Sequence, residues 1–111
     1  MDKANRKAAL EAYKEKKAQP GVFAVRCLAS GGVWVGKSPN LTTAQNGLWF
    51  GLRMGGSPFR TLQAAWREHG EAAFAFEPVE RLPADLEPLS HARVLKERLA
   101  HWREQLGAEA L

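Results

Sequence analysis

The order of local signals in this chain of 111 residues predicts a single α+β domain. A β-hairpin signature is followed by two helical stripes, one more strand and a last helical stripe. Hydrophobic residues make up 45% of the chain, with four tryptophans and five phenylalanines spread along it, so one core forms and two do not.

Residues 3–18 are rich in Ala, Lys, Glu and Leu, all good helix formers, and stop at Pro20-Gly21. Ala9, Leu10 and Tyr13 form a narrow apolar stripe flanked by Lys3, Arg6, Lys7, Lys14, Lys16 and Lys17. Residues 1–20 are thus expected as a basic N-terminal helix, either solvated or serving as a phosphate-binding arm through residues such as Lys14 and Lys17.

From Gly21 the pattern becomes extended. Val22 to Leu28 is β-branched and aromatic, Ser30-Gly31-Gly32 supplies a turn, and Val33-Trp34-Val35-Gly36 resumes the strand. Phe23, Val25 and Cys27 share one face by the two-residue period, which places Cys27 in the core rather than at a reactive site.

Leu41, Ala44, Leu48 and Leu52 then recur at helical spacing up to Gly55-Gly56. Gly47 and Gly51 interrupt that helix one turn apart, and glycine in a helix interior costs about 1 kcal/mol relative to alanine. Another backbone is therefore expected to approach closely. Trp49 falls off the stripe and reads either as an exposed aromatic or as one packed against the N-terminal helix. Ser57-Pro58 suggests an N-cap with proline at the first helical position of the next helix, which buries Phe59, Leu62 and Trp66 and ends at His69-Gly70. His69 suits a C-terminal cap on the helix dipole.

Ala73 to Glu77 reads as a third strand. Pro78 cannot donate to a ladder, so the strand ends there, bulges, or lies at the sheet edge. Ser90 starts a helix over about 91–106, with Leu95, Leu99, Trp102 and Leu106 as its stripe and Gly107 as its stop. The domain is expected over residues 21–106, with 107–111 as a tail.

The formal charge is +4 and is unevenly spread. Residues 1–20 carry six basic and three acidic side chains, residues 21–82 six and four, and residues 83–111 four and five. A basic excess in the first two segments is compatible with phosphate contact. No apolar run approaches the roughly 20 residues of a membrane span. The lone Cys27 has no disulfide or metal-ligand partner, which fits a reducing compartment, and the protein is expected in the cytoplasm. His91 and His101 are about 15 Å apart along one helix and cannot share a metal. No phosphate-cradling glycine motif and no Ser-His-Asp or Cys-His arrangement is visible.

The series Gly21-Val22-Phe23, Val33-Trp34-Val35-Gly36, Asn40-Leu41, Leu62-Gln63-Ala64-Ala65-Trp66, Gly70, Phe74-Ala75-Phe76 and Val79-Glu80-Arg81-Leu82 resembles the GIY-YIG nuclease superfamily. It looks most like a small bacterial branch with a leading Tyr-Lys helix, and the similarity covers residues 9 to about 106. The resemblance implies a three-stranded antiparallel sheet flanked by helices, with a DNA-binding surface beside the hairpin. It also implies a chemistry in which two tyrosines, a helix arginine and a metal-holding glutamate cleave a phosphodiester.

At those positions this chain departs from the motif. The tyrosines fall on Phe23 and Trp34, the arginine on Ala44, a frequent histidine on Leu48, and the acid on Leu99. A shifted register offers Glu97, about 200° from Leu95 around the helix, and Glu80 is a further acidic candidate. The expectation is a catalytically degenerate member, a pseudoenzyme without a cofactor, that binds nucleic acid, most simply DNA. Arg26, Lys37, Arg53 and Arg60 are the candidate phosphate contacts and Trp49 a candidate stacking surface. Two other readings stand beside it: a Mg²⁺-dependent endonuclease using Glu97 or Glu80, and a module that binds a protein partner or a second copy of itself.

Overall fold

The structure is a computed structural model that describes residues 19–83 and 85–111. The helix expected over 3–18, with Lys14 and Lys17, lies outside the described residues. Strands β1 (Gly21–Cys27) and β2 (Val33–Ser38) form the expected antiparallel hairpin, and β3 (Phe74–Arg81) pairs antiparallel with the other edge of β1.

Two glycines let these strands meet their neighbours. A Cβ at Gly36 would strike the ring of Phe23 across the ladder, and one at Gly21 would strike the carbonyl of Glu80 and the side chain of Leu41. Strand β3 runs through Pro78, which is tolerated because β3 is an edge strand whose register shifts between Val22 and Phe23. That shift is a bulge beside Pro78.

Among the described residues the sheet has four strands, not three, in the order β3-β1-β2-β4, and it is mixed. Strand β4 (Glu109–Ala110) runs parallel to β2, opposite Trp34 and Val35. Residues 107–111 are therefore no free tail. Gly107 turns the chain in the left-handed region, Ala108 is buried, and the Leu111 N–H donates to the Val35 carbonyl. Two residues are too few to show a strand period in the sequence.

Helix α1 (Leu41–Met54) starts where Asn40 Oδ1 accepts the Thr42 N–H and stops at Gly55, whose φ of 73° favours glycine. Helix α2 (Arg60–His69) begins two residues later than Ser57-Pro58 suggests. The Ser57 hydroxyl accepts the Phe59 N–H, and the helix follows. Helix α3 (His91–Leu106) matches its expected span.

Helices α1 and α2 cover one sheet face, where Phe23, Val25, Cys27 and Trp34 meet Leu41, Trp49, Leu52, Leu62 and Trp66. Helix α3 covers the other, where Leu99, Trp102 and Leu106 pack on Ala24, Val35 and Ala108. Cys27 is a core thiol.

Trp49 is a correction to the sequence reading. It is only 7% exposed and sits edge-on to Trp66 and Phe76 at 5.3 and 5.9 Å. On a 3.6-residue helix it lies about 60° from Leu52, inside the buried arc, so the arc is wider than the leucine stripe. The exposed aromatic of α1 is Phe50, at 64%.

Candidate functional site

Between the start of β1, the end of β2, α1 and the loop before α2 lies an open groove of about 310 Å³. Phe23 and Ser38 border it on the sheet side, Ala44, Gly47, Leu48 and Gly51 on α1, and Ser57, Pro58 and Phe59 on the loop. The loop is held by Gln63, whose Oε1 accepts the Ser57 N–H while Nε2 donates to the Leu52 carbonyl. Both polar atoms of this buried side chain are thus satisfied, and α1, the loop and α2 are fixed together.

Three positions that the motif resemblance singles out, Phe23, Ala44 and Leu48, converge on this groove. The Phe23 ring is buried and stacks on Phe76 at 4.9 Å. Trp34 shares the same sheet face, also buried. Its indole N–H donates to Thr61 Oγ1 at 3.0 Å, and that hydroxyl donates to the Glu109 carboxylate at 2.8 Å. A tyrosine here would present a hydroxyl; the indole presents a donor already engaged, with no lone pair to act as a base.

Leu99 does not join them. It packs on Ala24 and Val35 on the opposite sheet face, beneath α3. Glu97 is exposed and lies 3.6 Å from Arg93 one turn away. Glu80 faces α3 as well, accepting from Arg98 Nε at 2.8 Å and from Trp102 Nε1 at 2.7 Å. Burial pushes its carboxyl up, but those bonds, with the nearby charges of Arg98 and His101, outweigh burial and hold it below the usual carboxylate range. Glu80, within β3, is thus the structural partner of Arg98 on α3. Neither Glu97 nor Glu80 borders the groove. Among the described residues no group of three or more His, Cys, Asp or Glu is placed to hold a metal ion.

The four candidate phosphate contacts are dispersed. Lys37 borders the groove at the end of β2. Arg26 alternates with Val25 and Cys27, so it points to the α3 face, where its Nε lies 3.4 Å from Glu77. Arg53 makes two hydrogen bonds to Glu71, and these bonds hold the Glu71 carboxyl below its ordinary value. Arg60 is exposed on the first turn of α2. The sequence reading missed Thr61 and Glu109, the polar pair beside Trp34. Thr61 sits among helix formers and Glu109 beyond the last periodic stripe, so neither carries a local signal.

This arrangement defines a GIY-YIG-like α+β domain. The chain is similar to the catalytic domain of homing endonuclease I-TevI, at 20% identity and a TM-score of 0.69, covering 83% of this chain and 97% of that one. It is similar also to a mutant of the catalytic domain of intron endonuclease I-TevI, at 19% identity and a TM-score of 0.67, covering 80% and 84%. The likeness is one of fold. No protein-family model and no curated protein sequence matches the chain.

Proposed function

We propose that this protein binds nucleic acid, most simply DNA, in the cytoplasm, on a nuclease-like scaffold that does not cleave it. One observation carries this reading: the groove positions where the motif has a tyrosine, an arginine and, frequently, a histidine hold Phe23, Ala44 and Leu48. Attack on a phosphodiester needs a base, a stabiliser of the phosphorane charge and a carboxylate to hold a cation. Of these, the groove border offers, among the described residues, one ammonium, Lys37, and the hydroxyls of Ser38 and Ser57.

Binding needs less than catalysis. Cations and backbone amides suffice for phosphate contact, and a formal charge of +4 supports it. The similarity to endonuclease catalytic domains makes DNA the first nucleic acid to test.

Labelled duplex and single-stranded DNA are titrated with the protein at about 50 and 200 mM salt. Binding at low salt that weakens steeply at high salt is expected, and salt-insensitive binding or none refutes the proposal. Supercoiled plasmid incubated with excess protein and Mg²⁺ or Mn²⁺ is expected to stay intact. Nicking would instead establish an endonuclease with an atypical site.

A further inference from the structure

The last described residues cross an edge of the sheet. Ala108 packs with α3 on Ala24 and Val35, whereas Leu111 packs against the core beneath α1 and α2. Between them Glu109 and Ala110 pair with Trp34 and Val35 along the outer edge of β2. By the two-residue period of a strand, Glu109 falls on the same side as Leu111. There its carboxylate accepts the Thr61 O–H at 2.8 Å, and the Thr61 oxygen accepts the Trp34 indole N–H at 3.0 Å. Residues 108–111 thus form a strap from one sheet face to the other. It passes beside Trp34, where the motif has its second tyrosine.

The strap is held more lightly than the strands it touches. Gly107, in the left-handed region, ends α3, so no helix extends into it. Glu109 and Ala110 are exposed, and the Glu109–Thr61 bond lies at the surface. By contrast, β1 pairs with β2 from Gly21 to Arg26 through residues that are mostly buried. Few buried apolar contacts and exposed hydrogen bonds mark a segment that opens without the rest of the domain.

The carboxylate on this strap occupies a position suited to other oxyanions. Thr61 is the second residue of α2, whose first turn has no acidic residue and no side-chain cap, and Arg60 beside it is exposed. A hydroxyl donor, a guanidinium and the positive end of a helix therefore stand together, and the anion seated on the hydroxyl is Glu109. A phosphate oxygen offers the same kind of acceptor. We propose that Glu109 is an autoinhibitory contact. The strap holds a carboxylate where the phosphate backbone of a nucleic acid is received, and its release opens that position. The proposal rests on the nucleic-acid reading above and adds a means of regulating it.

Amide hydrogen exchange on the full-length chain tests the release itself, without nucleic acid. Leu111, whose N–H is bonded to the Val35 carbonyl, is expected to show a protection factor at least about 100-fold below that of Val25 in central β1, at a rate that low urea leaves unchanged. Equal protection of the two overturns the proposal. Binding of labelled DNA is then compared between Glu109→Gln and Glu97→Gln, which removes the same charge from the exposed side of α3. At about 50 mM salt Glu109→Gln should tighten binding about fivefold, and by less at about 200 mM, while Glu97→Gln leaves it within about twofold. Leu111→Ala loosens the strap without changing the charge and should tighten binding as well. Suppose wild type binds DNA but Glu109→Gln or Leu111→Ala binds it no more tightly, or Glu97→Gln equals Glu109→Gln. The autoinhibition is then overturned and the nucleic-acid reading stands. If neither wild type nor any variant binds DNA at either salt concentration, both fall.

Discussion

Glu80 separates a structural account of this domain from a catalytic one, because the two predict opposite outcomes for the same substitution. Its carboxylate takes the Arg98 Nε–H and the Trp102 indole N–H, joining edge strand β3 to α3. A hydrogen bond to a charged group contributes about 1.5–3 kcal/mol. The Arg98 side chain is 37% exposed, so water replaces that bond in part, whereas the Glu80 side chain is 25% exposed. Glu80→Ala is therefore expected to cost about 2 kcal/mol and Glu80→Gln, which keeps one acceptor, about 1 kcal/mol. At about 4–8 °C per kcal/mol, Glu80→Ala lowers the midpoint by roughly 10 °C in thermal unfolding followed by circular dichroism. The folded carboxyl lies below its unfolded value of about 4.3, so its stabilisation is fully present above that pH and is lost as pH falls through the folded value. Glu80→Gln should flatten the acid limb of the stability curve. Loss of less than about 0.5 kcal/mol in Glu80→Ala, together with loss of a metal-dependent activity, would refute this reasoning and return Glu80 to the role of a metal ligand.

Three further outcomes follow from contacts described above. Gly36→Ala drives a methyl group into the Phe23 ring and should destabilise by about 1–3 kcal/mol in chemical denaturation, the usual range for overpacking. Thr61→Val leaves the Trp34 indole N–H and the Glu109 carboxylate without their shared partner; a loss of about 1 kcal/mol is expected, and a double-mutant cycle with Trp34→Phe should show the two effects to be coupled. Lys37→Ala should weaken DNA binding about equally for all sequences and reduce the salt slope by about 1, and an unchanged slope would remove Lys37 from the interface.

The elements legible in the sequence were those with a long period or a specific stop. The hairpin, the glycine that ends α1 and the span of α3 each rest on several residues that agree. Strand β4 rests on two residues whose pairing is decided by Ala108 and by the Leu111 N–H, contacts that exist only once α3 has docked. The burial of Trp49 was hidden for a different reason. Periodicity locates the centre of a helix's buried face but not its width, and the width depends on Trp66 and Phe76, which come from distant parts of the chain. At the candidate site the substituted motif positions could be counted along the chain, and three of them do share a groove. Which face an acid at residue 99 would occupy could not be counted, because it depends on α3 packing across the sheet from α1.

The residues that stand where the motif needs chemistry are built into the core. The Phe23 ring closes on Phe76 and on the backbone of Gly36, and Trp34 lies 6.3 Å from Phe74 with its N–H tied to Thr61. A catalytic hydroxyl has to keep its oxygen free and solvated enough to exchange a proton, which is opposed to both arrangements. Restoring the motif therefore sets stability against reactivity. Phe23→Tyr places a hydroxyl at the end of the ring that meets Gly36 and should destabilise by about 1–2 kcal/mol, as an added polar group without a built partner does. Trp34→Tyr vacates indole volume beside Phe74 and gives up the bond to Thr61, for a loss of about 2 kcal/mol. Adding Ala44→Arg to both reinstates the helix cation at the groove, yet the acid position remains Leu99, on the far side of the sheet. The triple variant is expected to bind DNA more tightly through its extra charge and to leave supercoiled plasmid uncut. Cleavage by that variant would mean that the missing carboxylate is supplied by another residue, with Glu109, linked to Trp34 through Thr61, the first to substitute.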